Sequence, residues 1–388
     1  MANVLTDLAA DIYKAADKIG RELTGCASSV MLNTGTEQAA VGTTVRSHKT
    51  RTATAGDITP AMTIPEGTDQ TVDNLTMTLT KQRGVQIPWT GEDIKYVNGG
   101  SGFETIYGDQ IAQAMRTLVN EIEVDICTEV YKNACRAVGT AGTTPFGSNF
   151  DLLADLRKIF ADNGQPVDDG QWAVVMNTSA GANLRKLATL QKANEAGGTD
   201  LLRRGTLLDI QGFALKESAK IRSHTKGTGS GYLIDLTAGY VAGDKLIHVD
   251  TGTGTLVQGD VITIGSEGGN NYVINSGFAG DGDGDITLGF PGLAPSTSGA
   301  ANNAAVTIGN SYTANFALHR TAAEIAIRAP ASPLGGDAAS DVMLVQDPNT
   351  GLVFEISVYK GFKKAMIMVG AVWGVKAWNQ DCIGLLMG

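Results

Sequence analysis

The stretch from residue 103 to residue 138 narrows the choices for this chain more than any other. Ile111, Met115, Leu118, Ile122, Ile126 and Val130 recur at steps of three or four, the spacing that lines one face of an α-helix. Continuous to Val138, such a helix is roughly 50 Å long at 1.5 Å per residue. A small core has no use for that length; a strut does. Arg116, Glu121, Glu123 and Asp125 fall on the other side, which the pattern predicts to be wet or to meet a neighbour.

Residues 4–23 carry an amphipathic helical pattern (Leu5, Leu8, Ala9, Ile12, Ala15, Ala16, Ile19) that Gly25 stops. From Cys26 to about Ile64 the chain is rich in Thr, Ser, Ala and Gly, with little periodicity, and reads as an extended arm. A basic cluster, Arg46, His48, Lys49 and Arg51, sits within it. Leu75, Met77 and Leu79 then alternate with threonines, and Val85, Ile87 and Trp89 alternate with Gln86, Pro88 and Thr90. Gln82, Arg83 and Gly84 between the two runs read as a turn. The expectation is a long β-hairpin with Pro88 at an edge or a bulge.

Beyond the long helix, residues 150–161 read as a helix and Trp172 to Met176 as a buried strand. Residues 179–193 read as a further helix with caps near Asn177 and Thr178. Strands are expected around Leu207 and over 212–215. The composition then changes: between residues 225 and 311 eight acids stand against two Lys, and glycine turns separate short apolar runs. Those runs fall at 231–236, 245–249, 261–264, 271–274, 285–288 and 305–308. Short strands at this spacing spell a compact antiparallel sandwich or barrel. Mixed character resumes at 322–328, 352–359, 365–369 and 372–377. The fold class is therefore α+β, with an all-β domain inserted in a surface loop, a place where insertions cost little.

At 388 residues the chain exceeds the usual size of one folding unit. Its 49 glycines without a period imply many tight turns. The formal charge of −10 repels phosphate, so a protein that coats nucleic acid is disfavoured. A container for DNA is different, since an acidic lining keeps the contents from sticking. Residues 1–25 mix charges among the apolar positions and do not resemble a secretory signal. The longest apolar stretch, 365–375, is short of the ~20 residues a membrane span needs, so the chain reads as soluble. Cys26, Cys127, Cys135 and Cys382 form no CxxC pair and are expected to be reduced thiols in a protein made in the cytoplasm.

Catalytic patterns are missing from the sequence. His48, His224, His248 and His319 form no HExxH or i,i+4 pair, and each reads as a surface or packing residue. There is no GxSxG elbow, P-loop or dinucleotide fingerprint. Gly227, Gly229 and Gly231 read as a linker into the β domain. Asp281, Asp283 and Asp285 are a weak candidate for hard-cation binding, but an EF-hand loop would need Gly at position 286 and Glu at 292, which hold Ile286 and Gly292. A turn before a strand is the better reading. Neither Asp168-Asp169 nor Glu92-Asp93 has a base or nucleophile nearby in sequence. No metal, cofactor or catalytic residue is assigned.

Taken in order, these elements resemble the major capsid proteins of tailed double-stranded-DNA phages, most of all the coat-protein family of short-tailed Salmonella-type phages with an inserted β domain. The matching phrases are VQIPWTGED (85–93), WAVVMNTSAGANLRKL (172–187), GTLLDIQGFALKES (205–218), LVQGDVITIG (256–265), NFALHRTAAEIAIRAP (315–330) and GAVWGVKAWNQDCIGLLMG (370–388). The resemblance implies a division into an N-terminal helix and arm (1–49), an extended hairpin loop (50–94) and a spine helix with peripheral domain (95–149). It continues with an axial domain (150–224), an inserted β domain (225–312) and the axial and peripheral remainder (313–388). It also implies self-assembly into pentamers and hexamers of an icosahedral head around a scaffolding protein and a portal, enclosing DNA without reading its sequence. Arm and hairpin would then cross neighbouring copies, which makes Arg46, Lys49, Arg51, Leu75, Met77, Leu79, Arg83 and Trp89 the contact candidates, with no cofactor implied. Two other readings stay open at this point. One is a bacterial nanocompartment shell or another phage structural protein. The other is a hydrolase with an appended β domain, which predicts a cleft with clustered carboxylates and a monomer.

Overall fold

The computed structural model describes residues 22–50, 55–58, 60, 62–63, 72–98, 103–192, 207, 209–295 and 299–388. The helix expected over 4–23 lies almost wholly outside them. Three β layers organise the rest, and the long helix lies against the first.

The arm enters that layer at once. β1 (Met31–Ala39) runs parallel to a strand near the C-terminus, and β2 (Thr44–Thr50) pairs with β3 (Val72–Thr78) as a ribbon. Residues 31–50 are thus more regular than their composition suggested. The hairpin expected over 71–90 is also corrected. β3 takes β2 as its partner, while β4 (Lys81–Thr90) runs straight through Gln82, Arg83 and Gly84 and pairs with a strand near the C-terminus. Alternation showed that both segments were strands; it could not show with whom they pair. The chain breaks at Leu79 and Thr80 instead.

After a short helix, Gly91–Asn98, the long helix spans Phe103–Lys132, or about 45 Å at the α-helical rise. It stops before Val138 because residues 136–138 are more useful as a strand. β5 (Arg136–Val138) adds in parallel to the C-terminal strand. The helix's polar side is also not uniformly wet, since Glu123 is completely buried.

Helix Asp151–Asp162, β6 (Trp172–Met176), helices Thr178–Lys186 and Ala188–Gln191, and β7 (Phe213–Glu217) follow. Asn177 accepts the Ala180 N–H at 2.9 Å, the cap its side chain foretold. Trp172 stacks on Phe160 with ring centroids 4.2 Å apart and meets Phe213 edge-on. Leu207, expected in a strand, is in none.

From β8 (Ser223–His224) onward the chain is almost all strand: β9 (Tyr232–Ile234), β10 (Leu246–Gly252), β11 (Thr255–Leu256), β12 (Val261–Ile264), β13 (Asn271–Ser276), β14 (Phe278–Ala279), β15 (Gly282–Leu288) and β16 (Ala305–Ile308). Six of them close on themselves. The antiparallel pairings run β12-β16-β9-β10-β15-β13, and β13 returns to β12. Tyr232, Ile234, Ile247, Val249, Ile262, Ile274 and Ile286 fill this barrel as an apolar cluster of its own. Closure removes the exposed edges that such short strands would otherwise present. Glycine is needed where the barrel's entry strand is pinned: a Cβ on Gly227 would lie 2.2 Å from the Thr255 carbonyl oxygen. Residues 227–231, expected to be a linker, are instead stitched down by Gly229 N–H to Thr255 O and Ser230 N–H to Thr253 O.

β17 (Tyr312–His319) returns to the middle layer, whose order is β5-β22-β17-β6-β7, with β22 (Ile383–Met387) closing the chain. β18 (Ala323–Pro330), β19 (Ala339–Gln346), β20 (Val353–Gly361) and β21 (Lys364–Ala377) build the remaining sheet in the order β1-β18-β21-β20-β19, with β4 on β21. The two short runs expected at 365–369 and 372–377 are one 14-residue strand.

Against expectation, two cysteines are joined. Cys26 and Cys127, 101 positions apart, form a disulfide; Cys135 and Cys382 are free and buried. Spacing gave no hint because the pair is made by tertiary docking, as the turn at 25–29 settles on the long helix.

Candidate assembly surface

One face of the sheet containing β21 is closed by the long helix. Val85, Ile87 and Trp89 of β4, with Ile367, Val369 and Trp373 of β21, share a single apolar cluster with Ile111, Met115, Leu118 and Ile122. The rim is ionic. Lys81 reaches Asp125 at 2.7 Å, Arg83 Nε donates to Glu121 at 3.1 Å, and Trp373 Nε1 donates to Asp125 at 2.9 Å.

This settles where the proposed contact residues lie. Trp89 is buried, its Nε1 donating to Gln110. Met77 and Leu79 are buried with Ala39, Ala326 and Val372, and Val45 and Trp378 close over them. Met77, Leu79 and Trp89, offered as contacts to neighbouring copies, are thus buried within their own subunit. Met77 and Leu79 root the ribbon there, helped by Thr80 N–H to Trp373 O. Leu75 is half-buried opposite Ser47, Arg46 is exposed on β2, and Arg83 is exposed but ion-paired. Lys49 lies in β2 with no side chain described, and Arg51 is outside the described residues.

The apolar surface left open lies elsewhere. Ile58 and Met62, beyond the ribbon's root, are fully exposed. At the far end of the sheet β19 is an edge strand, paired among the described residues with β20 alone. Its outward side chains include Val342 and Leu344, 46% and 42% exposed. Phe362, at the β20–β21 turn, and Leu334, just ahead of β19, are bare. An edge strand with outward apolar residues invites another chain. Sequence reading missed β19 because Val342-Met343-Leu344-Val345 is a continuous apolar run that shows no alternation.

The barrel supplies a different site. His248 on β10 stands between two carboxylates of β15, Nε2 2.6 Å from Asp283 and Nδ1 2.6 Å from Asp285. Asp281 instead accepts the Gly254 N–H at 2.6 Å. The three aspartates of the cation candidate therefore do not converge; two of them flank an imidazole. The hydrogen bond to Asp285 raises the His248 pKa, burial opposes it, and the charges of Asp283, Asp285 and Asp235 add to the rise. A raised folded pKa means this contact stabilises fully below the unfolded value of about 6.5 and is lost as pH climbs through the folded one. Nuclear magnetic resonance titration is expected to place the His248 midpoint above about 6.5; a midpoint at or below it contradicts the bracketed geometry.

His224 and His319 hold structure together. His224 Nε2 is 2.9 Å from Asp260, both buried. His319 bridges Asp169 and Thr321 at 2.7 Å each and caps the turn that follows β17. Asp168 and Asp169, without a nearby base in sequence, are thus paired in space, Asp168 with Arg157. Asp93 and Thr90 exchange the hydrogen bonds of a helix cap.

No protein-family model matches this sequence, and no curated protein matches it. Solved structures do. The chain described as "Capsid structure of the Cyanophage P-SCSP1u" superposes with a TM-score of 0.50 at 9% identity, covering 95% of this chain and 89% of that one. The chain has that capsid fold. A chain of Mycobacterium phage Che8 matches at TM-score 0.45 and 14% identity over 96% and 90% of the two chains. A virus-like particle from Pyrococcus furiosus matches at 0.40 and 10% over 98% and 97%. Among the described residues no helix is long and apolar enough to cross a membrane.

Proposed function

We propose that this chain is a structural shell subunit, a major capsid protein whose copies close into the icosahedral head of a tailed phage around double-stranded DNA. The observation that carries the reading is the superposition of nearly its whole length on the cyanophage capsid chain. Function follows from fold only through the surfaces, and those suit self-association. The ribbon is rooted at home by Met77 and Leu79, while Ile58 and Met62, between its two strands in sequence, are fully exposed among the described residues. The edge strand β19 offers Val342 and Leu344 on a different sheet. Two distinct patches make head-to-tail contacts, the kind that close into rings and shells.

Within this reading, residues 225–312 are an inserted domain, the closed barrel, and residues 50–94 are the extended loop. Arg46, Lys49 and Arg51 meet acids of an adjacent copy. A scaffolding protein and a portal take part in assembly in the host cytoplasm, and the DNA is enclosed without base contacts. The net charge of −10 suits contents that must pack and leave. No reaction is assigned to the chain.

Val342→Glu combined with Leu344→Glu places two charges on the β19 edge. The expected result is a folded chain, with an unchanged circular dichroism spectrum, that no longer gives particles in electron micrographs. Particles formed as by the parent would remove the edge from the interface.

A further inference from the structure

We propose that Cys26 and Cys127 form a redox-operated clamp, open as a dithiol in a reducing compartment and closed as a disulfide outside it, which ties the chain's N-terminal segment to the long helix. The two sulfurs and a Glu123 carboxylate oxygen lie within 4.8 Å of one another, all buried. Glu123 is the part that prepares the site. One oxygen accepts the Cys26 N–H at 2.7 Å and the Ser218 hydroxyl at 2.8 Å; the other accepts the Ala27 N–H at 2.8 Å. These bonds hold the Cys26 backbone on the helix whether or not the sulfurs are joined. Cys127 lies one helical turn beyond Glu123 on the same face, so the thiols remain opposed. Holding reactants together raises their effective concentration, which favours closure.

Closure is thiol–disulfide exchange with a small disulfide such as oxidised glutathione. One cysteine, as thiolate, attacks the small disulfide and expels one small thiolate, leaving a mixed disulfide. The second cysteine attacks that bond, expels the other small thiolate and forms Cys26–Cys127. The two cysteine protons end on the two expelled thiolates, so two cysteines are oxidised and one small disulfide is reduced to two thiols. The buried sulfurs require the turn at 25–29 to lift for either reaction. That turn is held by Ser29 Oγ to Gly25 O at 2.6 Å and Lys216 Nζ to Ser28 O at 2.8 Å. Once closed, the same cover shields the bond. Glu123 is a positioning residue here. The clamp stands apart from the shell reading, because it is made within one chain.

The test equilibrates the purified full-length chain in glutathione buffers from strongly reducing to oxidising. It then alkylates the protein after denaturation and counts labels by mass. Four labels are expected under cytoplasm-like reducing buffer and two under oxidising buffer, with peptide mapping placing the bond at Cys26 and Cys127. Four labels throughout, two throughout, or a bond to Cys135 or Cys382 would each overturn the clamp. Glu123→Gln is expected to require a buffer about tenfold more oxidising for half closure; an unchanged midpoint denies Glu123 its positioning role. Should that variant not fold, amide hydrogen exchange of the reduced parent decides the point. Cys26 and Ala27 are expected to be protected, and free exchange at both contradicts the proposal.

Discussion

Asp260→Ala is expected to lower stability by about 3–5 kcal/mol, the combined cost of leaving several hydrogen-bond donors without their buried carboxylate acceptor. Asp260 is completely buried where the barrel joins the middle layer. Its carboxylate accepts the Gly227 N–H at 3.0 and 3.2 Å and the Val257 N–H at 2.9 Å, and stands 2.9 Å from His224 Nε2. His224 in turn packs against the rings of Tyr131 and Tyr312. Without the carboxylate, three buried donors lose their acceptor at once. Relaxation is limited, because the chain at Gly227 is already in close contact with Thr255. Guanidinium unfolding followed by tyrosine and tryptophan fluorescence measures the loss. Asp260→Asn, which keeps one acceptor oxygen, is expected to fall between the parent and Ala. A loss under about 1 kcal/mol for Ala would contradict the role assigned to this junction.

Trp373→Ala is the second large change, with an expected loss of about 3–5 kcal/mol. Trp373 is almost fully buried in β21, between Lys81 of β4 and Ile327 of β18 in the register. Its ring fills the space under the long helix, and its Nε1 holds Asp125 at 2.9 Å, the same carboxylate that Lys81 pairs with. Trp373→Phe keeps most of the apolar area and gives up the hydrogen bond, so about 1 kcal/mol is the expected cost. Equal losses for Phe and Ala would show that the polar contact, and not the buried area, binds helix to sheet.

Local patterns were legible in the sequence, and partnerships were not. The 3.6-residue period of Ile111 to Val130 marked the long helix, and Asn177 marked the start of the helix Thr178–Lys186. Short apolar runs between glycines marked all six barrel strands, because each strand's signal is contained in its own few residues. Pairing is a different kind of information. Met77 and Ile87 lie on neighbouring alternating runs, yet Met77 on β3 faces Val45 of β2, while Ile87 on β4 faces Ile367 of β21, near the other end of the chain. The Cys26–Cys127 bond and the seat of Glu123 share that origin. So does the burial of Met77, Leu79 and Trp89 within their own subunit, where contact with neighbouring copies was expected.

Asp281, Asp283 and Asp285 draw the eye as a string, but their spacing along a strand places Asp283 and Asp285 around His248. The quieter β19 carries the outward apolar residues, and nothing in its composition separates it from a core strand. Only the sheet order reveals that it has a free side.

Particle mass decides the central claim. The chain is produced in a bacterial host, alone and together with the products of its neighbouring genes, and examined by sedimentation and cryo-electron microscopy. Closed shells in which each copy's ribbon lies over the next are the predicted result. A species of 40.4 kDa under every one of these conditions, with the 55–63 segment and β19 open to solvent, would contradict it.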